Sequence, residues 1–326
     1  MVVAPTAQRL SLQCEGIAAD TTTIRSLDWE RSRFDIEFGL RNGTTYNSFL
    51  VRGERTALID SSHAKFRDSW IPLLKDQVDP ASIDVLIVSH TEPDHSGLIG
   101  DLIDLNPEIE IVGSKVAIQF LQDQVHRPFR SRAVKSGEEL DLGTNPESGV
   151  QHRFEFLSAP NLHWPDTIFS FDHGTGILYT CDAFGLHYCS EELFDSDPGA
   201  IAPDFRFYYD CLMGPNARSV LQALKRMDSL PEINTVAVGH GPLLRHHLSH
   251  WLNDYREWSG QRSKGESYAA VCYLSQYGFS DRISQAIAHG IGKADAQVQL
   301  VDLRATDPQE LTALVGEAKA VVVPTW

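Results

Sequence analysis

The chain has 326 residues, of which 42% are hydrophobic and 22% charged, a composition typical of a globular protein with one large domain or two ordinary ones. Its formal net charge of −16 argues against binding to nucleic acids or anionic membranes, which need a basic surface. The N-terminal segment lacks a secretory pattern, and no apolar run approaches the ~18 residues of a membrane span, so we expect a cytoplasmic protein. The five cysteines are scattered without a Cys-x-x-Cys pair, so a metal site would depend on histidines and carboxylates.

Short apolar runs separated by turn signals predict strands along the first 240 residues. The predicted strands cover residues 46–51, 56–60, 83–89, 152–160, 167–172, 176–182 and 233–240. Apolar residues at helical spacing predict helices over 114–126 and 216–230, with Ser114 and Asn216 as their N-caps. Because strands alternate with helices, we expect an α/β fold in which helices cover the sheets.

The composition changes near residue 260. Residues 258–267 are polar and include Gly and Ser, a pattern typical of a domain boundary. The following residues predict a strand, a loop and a helix, and then two more strands, 296–303 and 319–324, with a helix over 308–318 between them. We therefore expect one domain over 1–260 and a second over 261–326, which at about 60 residues is too short for the five strands of a doubly wound sheet.

The stretch "SHTEPDHSGL" (89–98) places four metal-capable side chains within six positions, directly after a buried strand. These are His90, Glu92, Asp94 and His95. Ionised groups this close repel each other, and burying them without a partner is costly, so a cation is expected among them. Gly97 lets the backbone turn away closely behind them.

Three further donors stand at the ends of later predicted strands. His163 lies between two prolines in "APNLHWPDT", Asp182 ends "GILYTCD", and His240 ends "INTVAVGH". Sheets of this type build their sites where strands end, so we expect these side chains to join the first four in one metal site.

The order of these donors resembles the metallo-β-lactamase superfamily, in which the common hydrolase pattern reads HxHxDH. Here Glu92 stands where the second histidine would be, and with Asp94 and Asp182 it gives the site three carboxylates, a mixture that suits iron. Seven donors divide over two ions: His90, Glu92 and His163 on one, Asp94, His95 and His240 on the other, with Asp182 as the bridge.

The HxExDH pattern and the three later donors, with the stretches "GTTYNSFLV", "APNLHWPDT" and "CDAFG", are similar to the flavodiiron proteins across nearly all of 30–326, and most like the cyanobacterial group. The resemblance implies a metallo-β-lactamase-like αββα sandwich followed by a truncated flavodoxin-like domain. It also implies reduction of dioxygen to water, or of nitric oxide to nitrous oxide, at a diiron centre. Electrons would come from NAD(P)H or an external reductase through FMN, in a head-to-tail homodimer or heterodimer.

The resemblance assigns FMN binding to the loop after the first strand of the second domain, although the loops that stack on the flavin ring are missing. That loop comprises Ser275, Gln276, Tyr277, Gly278, Phe279 and Ser280. Near the metal site, His187 is either a proton donor or a structural residue, and strand alternation predicts that Cys181 points away from the metals. The other histidines are interpreted as surface or core residues: 63, 126, 152, 173, 246, 247, 250 and 289.

Two alternatives to an oxygen reductase remain at this point, besides nitric oxide as the substrate of the same centre. The first is a binuclear zinc hydrolase of the same fold, against which Glu92 and the flavodoxin-like segment both argue. The second is a catalytically silent subunit of a hetero-oligomer, against which the complete set of ligands argues and which the short second domain favours.

Overall fold

The structure, a computed structural model, describes residues 9–34, 38–263, 268–275, 278–294 and 296–324. The strands in this part are β1 (Leu10–Ala18), β2 (Thr21–Asp28), β3 (Arg33–Phe34), β4 (Phe38–Gly39), β5 (Thr44–Arg52), β6 (Thr56–Ile59), β7 (Val85–Val88), β8 (Glu110–Gly113), β9 (Arg130–Ala133), β10 (Glu139–Thr144), β11 (Gln151–Ser158), β12 (Ile168–Asp172), β13 (Ile177–Cys181), β14 (Thr235–Val238), β15 (Tyr268–Tyr273), β16 (Gln297–Asp302) and β17 (Ala320–Val322). The α-helices are α1 (Arg67–Gln77), α2 (Pro93–Ser96), α3 (Ile99–Leu105), α4 (Lys115–Val125), α5 (Pro198–Tyr208), α6 (Ala217–Met227), α7 (Leu248–Ser263), α8 (Phe279–Lys293) and α9 (Pro308–Glu317).

Two sheets pack face to face and form the centre of the molecule. One has seven strands in the order β1-β2-β5-β6-β7-β8-β9, and the other has five in the order β10-β11-β12-β13-β14. Ile59 and Phe154, from different sheets, share one buried apolar cluster between them. Because successive side chains of a strand point to opposite faces, Leu58 instead joins a second cluster outside the seven-stranded sheet, with Trp70 of α1 and Leu121 of α4.

The helices α5, α6 and α7 contribute to the cluster of the five-stranded sheet through Phe205, Leu224 and Trp251. Helices thus cover both sheets, and the predicted αββα sandwich is confirmed. Every strand predicted from the sequence is present, with its ends within a few residues of the predicted ones.

The parallel strands bring the site residues to one edge of the sandwich. The strands β6, β7, β8 and β9 pair in parallel, and so do β13 and β14. His90 follows the carboxyl end of β7, Asp182 follows β13, and His240 follows β14 after one glycine. Donors that are far apart in the sequence therefore meet at the same edge.

The C-terminal residues form a parallel sheet in the order β16-β15-β17, flanked by α8 and α9, which is the beginning of a doubly wound arrangement. This sheet contacts the sandwich through hydrogen bonds from β16. The Nδ2 atom of Asn161 donates to the carbonyl oxygen of Leu300 at 2.9 Å, and Nε2 of Gln299 donates to Oγ of Ser219 at 2.8 Å. The exact division into two domains stays a prediction.

The predicted boundary at 258–267 is described in part. Residues 258–263 belong to the helix α7, where Ser259 is buried and its hydroxyl lies 2.8 Å from the Tyr209 hydroxyl. Residues 264–267 lie outside the described residues, and the boundary stays a prediction. Asn216 does precede α6, but its side chain makes no capping hydrogen bond. No helix in the described ranges combines the length and the apolar character that a membrane crossing needs.

Candidate metal centre

The turn after β7 brings four of the predicted donors to the edge of the sandwich. The backbone N–H of Ser89 donates to Oδ1 of Asp60 at 2.8 Å, which anchors the end of the strand. The short helix α2 then carries Asp94 and His95. Behind it, a Cβ atom on Gly97 would lie 2.4 Å from the carbonyl oxygen of Pro93, so glycine is required by this close approach of the backbone.

One group of donors contains His90, Glu92, His163 and Asp182, whose ligand atoms all lie within 4.8 Å of one another. The Nε2 atom of His163 is 3.0 Å from Oε2 of Glu92 and 3.2 Å from Oδ2 of Asp182. The Nε2 atom of His90 is 3.4 Å from the same Glu92 oxygen. These atoms surround one position that a cation could occupy.

A second group contains Asp94, His95 and His240, again within 4.8 Å. The other oxygen of Asp182, Oδ1, lies 3.0 Å from Nε2 of His95 and 3.2 Å from Nε2 of His240. Asp182 therefore stands between the two groups and presents one carboxylate oxygen to each, as a bridging ligand would.

The donor set fits a pair of divalent cations. The atoms Nε2 of His90, Oδ1 of Asp94 and Oδ2 of Asp182 are buried, yet within the described residues they have no hydrogen-bond partner. Buried polar atoms are normally satisfied, and these three face the donor groups, so bound cations would satisfy them. Four imidazoles and three carboxylates form a mixed nitrogen and oxygen set that iron accepts.

Hydrogen bonds from outside the two groups orient the imidazoles. The Nδ1 atom of His90 donates to Oδ1 of Asp166 at 2.9 Å, and the other Asp166 oxygen accepts from the backbone N–H and the hydroxyl of Thr91, both at 2.7 Å. The Nδ1 atom of His240 donates to the carbonyl oxygen of Thr45 at 2.6 Å. Both rings thus present a free Nε2 to the centre, a common feature of metal-binding histidines.

The charges of the centre compensate each other in the folded chain. Burial alone would raise the pKa of Asp182, but the charge of His95 and the nearby imidazoles of His163 and His240 hold that pKa well below its usual range. Burial alone would lower the pKa of His163, whereas the nearby carboxylates of Asp182 and Glu92 raise it to about 10. Strongly shifted groups that cluster in a cleft are typical of functional sites.

A cavity of about 340 Å³ opens onto both groups. Its walls, besides the donors, include Arg31, Phe34, His63, His187, Tyr208 and Leu212. His63 is half-buried at this wall, and its Nδ1 atom accepts from the backbone N–H of Lys65 at 3.1 Å, so its interpretation as a surface or core residue stays a prediction. The space is sufficient for a small molecule.

His187 lies in this cavity beside the second group. Its Nδ1 atom is 2.8 Å from Oγ1 of Thr44, and its ring centroid is 4.6 Å from that of His240. Burial, followed by the charge of His240, keeps the pKa of His187 well below its usual value, so the ring is neutral. Its role as a proton donor stays a prediction.

Cys181 does not follow the strand alternation expected from the sequence. Its backbone has a φ of 51°, and the pairing of β13 with β14 shifts register at this residue. Such a bulge changes the direction of a side chain. As a result Sγ lies within 4.8 Å of a ring nitrogen of His95 and of a carboxylate oxygen of Asp182, and the prediction that the thiol points away from the metals is wrong.

The loop predicted to bind FMN is described in part. The Oγ atom of Ser275 accepts from the backbone N–H of Gly278 at 2.9 Å, and the Ser280 hydroxyl donates to the carbonyl oxygen of Leu274 at 3.0 Å. The ring of Phe279 is 66% exposed. Gln276 and Tyr277 lie outside the described residues. Both serine hydroxyls thus stabilise the loop itself, and the assignment to FMN stays a prediction.

Sequence reasoning missed Asp166 and Thr45, which orient the metal-facing histidines. Asp166 is part of the quoted stretch "APNLHWPDT", but nothing local distinguishes it from a surface carboxylate. The only available signal was an acidic residue close to a predicted histidine ligand. Thr45 contributes a backbone carbonyl, which carries no sequence signal.

Comparisons with known proteins agree with this geometry. The model of a family described as "ODP family beta lactamase" matches residues 44–241. The chain is 59% identical to diflavin flavoprotein A 1 of Synechocystis sp., over 98% of this chain and 55% of that protein. The solved structure of the metal-soaked Flv1 flavodiiron core from Synechocystis sp. superposes with a TM-score of 0.82 and 31% identity, over 96% of this chain and 77% of that one.

The chain belongs to the flavodiiron family. A flavoprotein from Thermotoga maritima is also similar in fold, at 26% identity and a TM-score of 0.71 over 97% of this chain and 78% of that one. The chain spans about half the length of the curated relatives it matches. The two donor groups thus lie in a chain of the flavodiiron family, and the role of each residue in them stays a prediction.

Proposed function

We propose that this chain carries the diiron centre of an oxidoreductase that reduces dioxygen to water, with electrons relayed through FMN and ultimately drawn from NAD(P)H. The observation that supports the proposal most is the position of Asp182, with one oxygen toward each group of donors. A single bridging carboxylate holds two cations close enough to act on one small molecule.

Glu92 favours iron over zinc at the first position. It occupies the place of a histidine in the hydrolase pattern, and its carboxylate lies 3.0 Å from Nε2 of His163. A third carboxylate adds a hard, anionic donor, which favours the ferric state. Two irons would supply electrons to a molecule between them, whereas zinc has no redox chemistry.

The side chains around the centre would bind the two irons, orient the histidine ligands and shape the cavity. His90, Glu92 and His163 would hold one iron, and Asp94, His95 and His240 the other, with Asp182 between them; in this proposal Asp166 and Thr45 only orient His90 and His240. The apolar side chains of Phe34 and Leu212 line part of the cavity wall and would offer an apolar contact to a small and weakly polar substrate such as dioxygen. We propose that His187, as a neutral ring, would relay protons from the side of His240: it would give up the proton on one ring nitrogen while it takes up another proton on the second nitrogen.

Dioxygen needs four electrons and four protons to form two waters, so two irons alone are insufficient and a flavin must resupply them. We propose that the loop from Ser275 to Ser280 contributes to the FMN site. The electron-delivering flavin would come from the partner subunit of a head-to-tail homodimer or heterodimer, or from an external reductase.

The test is steady-state oxygen uptake by the iron-loaded chain, supplied with FMN, NAD(P)H and a flavin reductase. Free reduced flavin also consumes oxygen and forms hydrogen peroxide, so the D182N variant serves as background. We expect uptake above that background, and catalase should return no oxygen from this excess because the product is water.

A parallel anaerobic experiment replaces oxygen with nitric oxide and measures nitrous oxide. Nitrous oxide formation without oxygen uptake above the D182N background would favour nitric oxide as the substrate. Equal rates for the wild type and D182N with both gases would contradict a reductase function of either kind.

A further inference from the structure

Cys181 lies beside the second group of donors but has no role in the proposed iron binding. The left-handed φ of 51° and the register shift at the end of β13 turn its side chain toward the centre. Its Sγ atom, a ring nitrogen of His95 and a carboxylate oxygen of Asp182 all lie within 4.8 Å of one another. All three residues are buried.

The imidazole of His95 provides a second, independent observation. Its Nδ1 atom is buried and, in the part of the chain that the structure describes, has no hydrogen-bond partner, in contrast to Nδ1 of His90 and of His240. Unlike the rings of His90 and His240, the ring of His95 is therefore not held by a hydrogen bond through Nδ1. Without such an orienting bond at Nδ1, the ring can adjust to an alternative set of donors at the same metal position.

Tight backbone packing holds this trio together. A Cβ atom on Gly239 would lie 2.7 Å from Cε1 of His95 and 3.1 Å from the carbonyl carbon of Cys181. The backbone N–H of Gly239 also donates to the carbonyl oxygen of Cys181 at 2.7 Å. The thiol and the imidazole are thus kept close by the absence of a side chain at residue 239.

We propose that Cys181, His95 and Asp182 form an alternative donor set that binds a thiophilic divalent cation, such as Zn²⁺ or Co²⁺, at the second metal position. This inference rests on the proposed function, because His95 and Asp182 are also proposed iron donors. Sulfur, imidazole nitrogen and carboxylate oxygen form a set that zinc accepts, and the thiol proton passes to solvent on binding.

The first group differs from the second in this respect. No cysteine among the described residues belongs to the group around His90, Glu92 and His163. Soft sulfur donors select zinc, so zinc should displace iron from the second position before the first. The chain would then hold one iron and one zinc when zinc is available.

Anaerobic titration of the metal-free chain with Co²⁺ tests the inference. Cobalt bound by a thiolate gives a sulfur-to-cobalt charge-transfer band in the near ultraviolet, whereas the visible ligand-field bands report cobalt bound by any donors. We expect both kinds of band in the wild type and in C272S, whose replaced thiol is buried in the C-terminal sheet. The charge-transfer band should be lost in C181S while the ligand-field bands remain.

Competition with a chelator gives a second measurement. In C181S we expect the affinity for the more tightly bound Zn²⁺ to fall by at least about tenfold. Ligand-field bands without a charge-transfer band in the wild type would overturn the role of Cys181 and leave the diiron proposal intact. This outcome is measured on the wild type alone, so it does not depend on whether C181S folds. A wild type that binds no cobalt at all would instead overturn the metal centre itself. A charge-transfer band that persists in C181S would also contradict the inference.

Discussion

Individual residues determine how the histidines of the centre are oriented, and Asp166, which is not a predicted ligand, shows this most clearly. The carboxylate of Asp166 accepts three hydrogen bonds, from Nδ1 of His90 and from the backbone N–H and the hydroxyl of Thr91. All three bonds require that both oxygens of Asp166 act as acceptors. The charge of His90 helps to hold the pKa of Asp166 below its usual range against the opposing effect of burial. Its effect on the metals is therefore indirect but strong.

The variant D166N should weaken iron binding at the first position. The asparagine amide has only one acceptor oxygen, so its NH₂ group would face either the Thr91 donors or Nδ1 of His90. In both cases His90 would lose its negatively charged partner. We expect a loss of about 10- to 100-fold in iron affinity, measured by anaerobic chelator competition.

D172N is a matched control for this prediction. Asp172 accepts from Nδ1 of His152 at 2.8 Å and from the Thr175 hydroxyl at 2.7 Å, so it repeats the same arrangement in a buried site that is not part of either donor group. It should lower stability and leave iron affinity unchanged. Equal iron affinities of D166N and the wild type would contradict the orienting role of Asp166.

At the scale of elements, the ends of the strands could be predicted and their irregularities could not. The apolar run of β7 followed by "HTEPDH" indicated both a buried strand and a metal site. The strand β2 gave no such signal, because it buries Thr23, Arg25 and Asp28 among its neighbours. The bulge at Cys181 depends on pairing with β14 and is invisible in the local sequence.

The loop between β11 and β12, which carries His163, is tied to the C-terminal sheet by Asn161. This residue has a φ of 66°, which glycine adopts without strain, so N161G removes the hydrogen bond to Leu300 and keeps the backbone. We expect a loss of about 1 kcal/mol in the free energy of unfolding.

Hydrogen exchange of the loop and of β16 should also accelerate together in N161G. N234A, which removes a comparable bond from Asn234 to the carbonyl oxygen of Thr175, should leave both segments unchanged. Unaltered exchange in N161G would show that the contact does not couple the loop to the sheet.

His152 links β11 to β12 and to the turn before β2 through Asp172 and Asp20. Burial would lower its pKa, but the hydrogen bonds with the two carboxylates raise it above the usual value. Because the folded state binds the proton more tightly, the stabilisation is fully present below about pH 6.5 and is lost as the pH rises through the raised value.

The measurement is the difference in the free energy of unfolding between the wild type and H152Q as a function of pH. We expect this difference to be largest under mildly acidic conditions and to shrink toward alkaline pH. A difference that grows with pH would mean that the neutral ring is the stabilising form.

At the scale of the whole molecule, the sandwich gathers many ionisable side chains at one crowded edge. Seven buried or half-buried donors of two chemical types meet there from four separate parts of the chain. Their types were readable from the sequence, and so were the positions of His90, Asp182 and His240 at strand ends, since parallel strands bring their carboxyl ends together. His163 lies instead in the loop between β11 and β12. The orienting hydrogen bonds and the direction of the Cys181 thiol arise only from tertiary packing.

Removal of the metals should therefore destabilise the chain. Cations that bind only the folded state add about 2.7 kcal/mol per site when their free concentration is 100 times the dissociation constant. We expect the melting temperature to fall on chelation and to recover with Fe²⁺. The D182N variant should show a much smaller response, and a wild type that melts at the same temperature with and without chelator would contradict the account.

The number of irons and zincs per chain, in protein expressed with iron supplied and purified without added zinc, tests the proposed diiron centre most directly. We expect two irons, because the two donor groups share Asp182 and because Glu92 favours iron. Two zincs that iron-rich expression does not displace, or a chain that binds neither metal, would contradict the proposal.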